Sequence, residues 1–107
     1  MSLHTDRVGA IIAREAAAFI LREAGPDSLI TVTRTIVSSS GDHVSVLLTV
    51  LPEDKTQSAL TFLSRQREAF SDHLKKRSRL SPLPRVDFQL DSGEKSRQRL
   101  DELSNEL

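Results

Sequence analysis

The sequence contains no cysteine, no tryptophan and no tyrosine, and phenylalanine occurs four times among its 107 residues. The lack of cysteine excludes disulfides, thiol catalysis and cysteine-based metal sites. No apolar run approaches the roughly 18 residues that a membrane-spanning helix requires, so we expect no membrane association. The first residues lack the basic-then-apolar order of a signal peptide, and we expect a cytoplasmic protein.

Motifs for catalysis and metal binding are also missing. The sequence has no G-x-S-x-G, no P-loop and no H-E-x-x-H. The histidines at positions 4, 43 and 73 lack metal-ligand spacing, and we interpret His73, beside Asp72, as a surface side chain. Paired carboxylates for acid–base work would need burial in a pocket, which no pattern here indicates. We therefore predict no catalytic residue, no bound metal, no cofactor and no enzyme activity.

The net charge is zero, but the positive charge is concentrated in about a fifth of the chain. Residues 65–85 carry seven basic and two acidic side chains, whereas the segments on either side are each net acidic. Such clustering gives a neutral molecule an electrostatic footprint for phosphate groups. Residues 65–85 are therefore the candidate region for contact with a nucleic acid.

Two segments show the periodicity of amphipathic helices. Residues 6–24 place apolar side chains at helical spacing, and the Gly-Pro pair that follows ends the pattern. A longer pattern covers residues 54–79, and the spacing of Asp54 and Gln57 at its start resembles a capping box. The apolar stripe of this second helix is interrupted at Gln66-Arg67, where we expect a kink or a break.

Three segments have the composition and alternation of β-strands. Residues 29–38 and 43–51 are rich in β-branched side chains, and the Ser-Ser-Gly-Asp link between them predicts an antiparallel hairpin. Residues 85–90 alternate apolar and polar side chains, and a right-handed crossover should place this strand parallel to a neighbour. We expect one buried face of the first strand to carry Ile30, Val32 and Ile36.

The order of elements is α-β-β-α-β, followed by an extra C-terminal helix with Leu100, Leu103 and Leu107 on one side. Each of the first two helices has a single apolar stripe, so both should cover the same face of a three-stranded sheet. The opposite face carries mostly threonine and other polar side chains and should meet solvent. The fold class predicted from these patterns is α+β.

These elements resemble the ribosome-binding factor A family in order and in local sequence. The similar stretches are Arg7-Val8 in the first helix, ITVTRTIVSSSGDHVSVLLTVLP over residues 30–52 and RLSPLPRVDFQLDSG over residues 79–93. The resemblance spans roughly residues 7–92 and depends on order and spacing together. The family usually has Ala-x-Gly at the kink of the long helix, where this chain has Gln66-Arg67-Glu68.

The resemblance implies a K-homology-like domain of type II over residues 1–92, with the C-terminal helix over residues 93–107. It also implies a small-ribosomal-subunit assembly factor that binds the free small subunit and its 16S rRNA during late maturation and rRNA processing. Release by an assembly GTPase belongs to the same expectation. We expect the protein to be a monomer.

Six basic side chains are the candidate rRNA contacts: Arg67, Lys75, Lys76, Arg77, Arg79 and Arg85. Lysine and arginine neutralise phosphates and release counterions, which gives affinity without sequence reading. A K-homology domain that reads single strands needs a GxxG loop, and none of the four glycines lies in the second helix. Recognition should therefore depend on shape and phosphate. The alternative interpretation is a solvated helix end that complements the helix dipole.

A second function class remains open on the residues alone. An open sheet face or an edge strand could pair with another chain, which would make the protein an interaction or dimerisation module of α+β type. Binding of that kind should tolerate salt, whereas binding to rRNA should weaken steeply as salt rises.

Overall fold

A computed structural model describes residues 3–93 of the chain. Its elements are α1 (Leu3–Glu23), β1 (Leu29–Val37), β2 (His43–Leu51), a 3-10 turn (Glu53–Lys55), α2 (Thr56–Arg65), α3 (Arg67–Arg77) and β3 (Arg85–Leu90). This order confirms the predicted α+β architecture, with the second helix divided into α2 and α3. The C-terminal helix was predicted for residues 93–107, and all of these residues after Gly93 lie outside the described part of the chain.

The three strands form one sheet in the order β1-β2-β3. Strands β1 and β2 pair antiparallel, and β3 pairs parallel to β2 along its other edge, as predicted. The hairpin turn places Gly41 at φ 77°, a left-handed conformation that favours glycine. Three of the turn's polar side chains also bond to one another, because the Ser38 and Ser40 hydroxyls donate to Asp42 at 3.0 and 2.6 Å.

A β-bulge in β1 corrects the predicted faces of that strand. The pairing shifts between Val32 and Arg34, so that both Thr33 and Arg34 lie opposite Leu47. Beyond the bulge, every side chain changes face relative to simple alternation. The prediction that Ile36 is buried is therefore wrong: Ile36 pairs with Ser45 on the open face and is 50% exposed.

The bulge also accounts for the glycine in the second turn of α1. Thr35 now pairs with Val46 on the face that the helices cover. A Cβ placed on Gly9 would lie 2.7 Å from Oγ1 of Thr35 and 3.3 Å from Cγ2 of Val37. Helix α1 can approach β1 this closely because position 9 has no side chain.

The core lies between the helices and one face of the sheet, with β2 at its centre. Four alternate side chains of β2 are buried there: Val44, Val46, Leu48 and Val50. Helices α1 and α3 pack over one half of this face, and α2 packs with the end of α1 over the other half. The Phe70 ring lies 5.3 Å from Phe19 and 5.7 Å from Phe88, measured between centroids, and so joins α1, α3 and β3.

The predicted break in the second helix occurs at Gln66. Its backbone has φ −93° and ψ 6°, and its N–H donates to the carbonyl groups of both Leu63 and Phe62. One further expectation for this helix is wrong. No side chain caps the start of α2, because the 3-10 turn precedes it and the Thr56 hydroxyl donates to the Glu53 carbonyl at 2.7 Å. The helix ends at Arg77, close to the predicted end near Arg79.

Candidate nucleic-acid interface

The last turn of α3 presents three of the predicted cations to solvent. Phe70 and Leu74 hold the opposite side of the helix in the core, so Lys75, Lys76 and Arg77 are exposed. Ser78 ends the helix, and both its N–H and its hydroxyl donate to the Leu74 carbonyl, at 2.9 and 2.7 Å. Cations at this position interact favourably with the negative end of the helix dipole and remain available to phosphate.

Arg67 and Arg85 lie far apart in sequence but line the same groove. The groove has a volume of about 360 Å³ and runs between α3 and the segment that leads into β3. Its apolar walls include Leu74, Leu83 and Val86. Two exposed guanidinium groups therefore flank an apolar cleft. Arg79 is also exposed and lies in the segment between α3 and β3.

Lys75 lies farther along α3 from the residues that line this groove. It follows Arg67 by eight residues, with Ser71 of the groove lining between them at intervals of four. Residues spaced by four lie on one side of a helix, so Lys75 continues the row from Arg67. The structure thus brings Arg67 and Arg85 to one groove, and helical spacing places Lys75 next along α3 from Ser71.

Arg77 stands apart from the other candidates because it faces α1. Its Nε lies 3.8 Å from Oε1 of Glu15, a long ion pair. The same Glu15 oxygen lies 3.2 Å from Nε2 of His73. Part of the charge of Arg77 is therefore matched within the protein, which makes it the least available of the six cations.

His73 corrects the interpretation of that residue as a surface side chain. It is 8% exposed and stacks on Phe70 with a centroid distance of 5.9 Å, while its two ring nitrogens face Glu15 and Arg22. A signal for burial was present in the sequence, because His73 follows Phe70 by three residues and so lies on the apolar stripe. The adjacent Asp72 is exposed.

Charge counting along the chain gave no weight to two exposed arginines of α1. Arg14 and Arg22 are both exposed on α1. Nη2 of Arg22 lies 3.4 Å from Nδ1 of His73, so this arginine lies at the contact between α1 and α3. The Nε of Arg22 also donates to Oε1 of Glu23 at 2.9 Å, so part of its charge is matched on α1 itself.

A polar cluster on the open face of the sheet has no arrangement suited to catalysis. Asp87 is its centre: Oδ1 lies 2.8 Å from both His43 Nε2 and Ser45 Oγ, and Oδ2 accepts from Gln89 at 2.6 Å. Burial raises the pKa of Asp87, but the hydrogen bonds from Gln89 and Ser45 and the nearby His43 outweigh it and hold the pKa below its ordinary value. The carboxylate is thus a fixed acceptor, and the serine hydroxyl donates to it rather than to the histidine.

No group of three or more histidine, aspartate or glutamate side chains in residues 3–93 could hold a metal ion. No helix in the same range is long and apolar enough to cross a membrane.

The fold and the cationic surface together define a class of protein. A helix, a hairpin, a helix broken in its middle and a third strand parallel to the second, with all helices on one sheet face, make a K-homology-like domain of type II. The family model described as ribosome-binding factor A matches residues 4–104, and the chain belongs to that family.

Solved structures agree with the family match, whereas a search of curated proteins found no match. The crystal structure of ribosome-binding factor A from Thermus thermophilus is similar over 80% of this chain and 94% of its own, with 29% identity and a TM-score of 0.70. A homology model of the Thermus thermophilus factor, fitted into a cryo-EM map of a 30S complex, is 30% identical over 78% of this chain and 90% of its own, with a TM-score of 0.67. The solution structure of a Thermotoga maritima protein shares the fold. It is 21% identical to this chain, with a TM-score of 0.67, and the match covers 82% of this chain and 87% of its own.

Proposed function

We propose that this protein is a non-catalytic assembly factor that binds the free small ribosomal subunit and its 16S rRNA during late maturation and rRNA processing. The observation that carries the proposal is membership of the ribosome-binding factor A family over residues 4–104. A relative 30% identical to this chain has been fitted into the map of a 30S complex, which supports the small subunit as the partner. The cytoplasm is the compartment where such a partner would be met.

The cations on and after α3 supply the contacts to rRNA phosphates in this proposal. Lys75, Lys76 and Arg79 are exposed around the end of the helix, and Arg67 and Arg85 flank the groove beside it. Each lysine or arginine that meets a phosphate releases a counterion, so the affinity comes from electrostatics and not from base reading. Arg77, partly matched by Glu15, contributes less.

The break at Gln66 supports recognition of a folded RNA surface and not of a short single strand. A single-strand clamp at this position would need glycines that let the backbone approach four nucleotides. Here Gln66, Arg67 and Glu68 occupy the joint between α2 and α3. Short single-stranded RNA should therefore bind weakly and without sequence preference, while nearly assembled subunits should bind far more tightly. Monomeric binding and release by an assembly GTPase complete the proposal.

Sedimentation of cell lysate through a density gradient tests the function directly. The protein should migrate with free small subunits at low salt and return to the top of the gradient as salt rises. Failure to migrate with small subunits at any salt concentration would contradict the proposal.

An interaction or dimerisation module is the second candidate, and one observation favours it. Leu29 and Leu51 pair with each other on the open sheet face and are 63% and 58% exposed. A contiguous apolar patch on a sheet face is a candidate surface for contact with another protein, and these two leucines would lie within it. Association through them should persist at high salt, and that persistence distinguishes this candidate from rRNA binding.

A further inference from the structure

A buried polar pair, Glu15 and His73, connects α1 to the basic end of α3. Oε1 of Glu15 lies 3.2 Å from Nε2 of the histidine, and the two residues are 7% and 8% exposed. On the other side of the ring, Nη2 of Arg22 lies 3.4 Å from Nδ1. The sheet contributes apolar side chains to the core at this point: Val44, Val46 and Phe88. The charged groups around the pair therefore come from the two helices.

The contact with Arg22 indicates which ring nitrogen of His73 carries the proton. A guanidinium group has donors and no acceptor, so Nδ1 is the acceptor in this contact. In the neutral ring the proton then lies on Nε2, which donates to Glu15. A neutral histidine bonds the carboxylate but supplies no positive charge to it.

Arg77 supplies that positive charge from the last turn of α3. Its Nε lies 3.8 Å from the same Oε1 of Glu15, and its side chain is 68% exposed. Among residues 3–93, the charged side chains in contact with the pair are Arg22 and Arg77, and Arg22 already donates to Glu23. A buried carboxylate without a cation is costly, so Glu15 holds Arg77 as long as His73 is neutral.

We propose that protonation of His73 releases Arg77 to a phosphate group of the rRNA. The protonated ring would carry its positive charge 3.2 Å from Oε1 of Glu15 and would replace Arg77 as the counter-ion. The new Nδ1–H would face a donor of Arg22, so that contact would be lost. Arg77 would then join the phosphate-binding cations of α3, and affinity for RNA would increase as the pH falls. The phosphate contact rests on the proposed function, whereas the release rests on the side-chain contacts alone.

The salt dependence of binding to small subunits tests the release of Arg77. Cosedimentation across a salt series is measured at about pH 8 and at about pH 5, the limits of the range in which histidines ordinarily titrate. Arg77→Gln should leave the slope of log affinity against log salt unchanged at the higher pH. At the lower pH it should reduce the slope by about 0.7–0.9, the value for one phosphate contact. An equal effect at both pH values, or no effect at either, would overturn the inference.

His73→Gln is the matched variant that cannot be protonated. Its amide offers a donor to Glu15 and an acceptor to Arg22, as the neutral histidine does. Between pH 8 and pH 5 the parent slope should increase by about 0.7–0.9 more than the slope of this variant. Other titrating groups are common to both chains, so the difference isolates position 73. Thermal melting at both pH values verifies that each variant is folded, and equal slope changes in the two folded chains would contradict the release.

NMR of the side-chain nitrogens separates failure of this inference from failure of the proposed function. At about pH 8 the His73 ring should carry its proton on Nε2, with His73→Gln identifying its signals. As the ring becomes protonated, the Nε signal of Arg77 should shift with it in the parent chain and stay unchanged in His73→Gln. A proton on Nδ1, or an Arg77 signal that does not follow the ring, would overturn the inference whether or not the protein binds subunits. Absence of cosedimentation at any salt concentration, with the NMR result as expected, would contradict the proposed function and leave the release of Arg77 established.

Discussion

His73 Nε2 lies 3.2 Å from Oε1 of Glu15, and among residues 3–93 these are the two buried side chains that carry titratable groups. The pair joins α3 to α1 next to the Phe19 and Phe70 rings, with centroids 5.5 and 5.9 Å from that of His73. A buried polar group without a partner costs about 1–3 kcal/mol, and this contact gives each residue a partner in addition to Arg77 for Glu15 and Arg22 for His73. This contact fixes the orientation of the helix whose end carries the basic cluster.

Replacing His73 should destabilise the fold even though the neighbouring residue can be changed freely. We expect His73→Ala to lower the free energy of unfolding by about 2–3 kcal/mol, since it leaves Glu15 buried without that partner and removes ring packing. Asp72→Ala, one position away and exposed, should change it by less than about 0.5 kcal/mol. Urea denaturation of both variants measures the difference. Equal stability of the two variants would mean that the histidine contributes no more than its exposed neighbour.

Gly9→Ala should also destabilise the protein, against the helix propensity of the new residue. Alanine in a helix interior is worth about 1 kcal/mol over glycine, but its Cβ would meet the stiff Thr35 side chain at 2.7 Å. Overpacking of this kind costs about 1–3 kcal/mol, so a net loss is expected. Thr35→Ala in the same chain should restore part of the loss, and Gly25→Ala, with nothing within 4 Å, serves as the control. A stabilised Gly9→Ala variant would show that α1 can move away from β1.

The bulge marks the limit of what the sequence could predict about the sheet. Alternation along residues 29–38 correctly identified a strand, its antiparallel partner and the side chains before Thr33 that face the core, Ile30 and Val32, which are partly buried. A bulge inserts one residue without any composition signal in this segment, and it moves Ile36 to the open face. The same shift places Thr35 opposite Gly9 of α1 and places Thr33 and Arg34 beside Asp91. These contacts join residues that are distant in the chain.

The candidate site was predicted in part for a similar reason. Charge clustering identified the exposed cations of α3, because residues close in a helix remain close in space. The approach of Arg85 to Arg67 depends on how β3 packs beside α3, and the pairing of Arg77 with Glu15 depends on how α1 packs on the other side. Local sequence patterns predict which charged residues lie on a surface. Tertiary packing decides which of those charges are paired within the protein and which are available to a ligand.

Acid should weaken the fold through carboxylates whose pKa values are lowered in the folded state. Asp42, bonded by the hydroxyls of Ser40 and Ser38, and Asp87 both have a pKa below the ordinary value. A depressed folded-state pKa gives a stabilising contribution that is fully present above the unfolded-state value and is lost as pH falls through the folded-state value. Stability should therefore decline below about pH 4, where unfolded aspartates take up protons.

Asp87→Asn provides the test of that decline. The variant has no carboxylate to protonate, so the urea midpoint should fall less between pH 5 and pH 3 than in the parent chain. Its stability at pH 7 should be lower, since the hydrogen bond that Ser45 donates and the contact with His43 Nε2 are weakened. Parallel pH curves for parent and variant would show that Asp87 does not contribute to the acid limb.

The basic surface makes a quantitative prediction about binding to small subunits. Lys75 and Lys76 lie off the buried side of α3, and Arg79 is exposed in the segment that follows it, so changing all three to glutamine should leave the fold intact. If each contacts one phosphate, the slope of log affinity against log salt should fall by about 0.7–0.9 for each residue, or about 2–3 for the set. The control variant, Lys55→Gln with Arg7→Gln, removes two exposed cations outside residues 65–85 and should leave the slope near that of the parent. Thermal melting verifies that each variant is folded before its cosedimentation is measured across a salt series. A triple variant that is folded and retains the parent slope would show that the end of α3 is an ordinary solvated surface, and the interaction-module candidate would then be the better supported function.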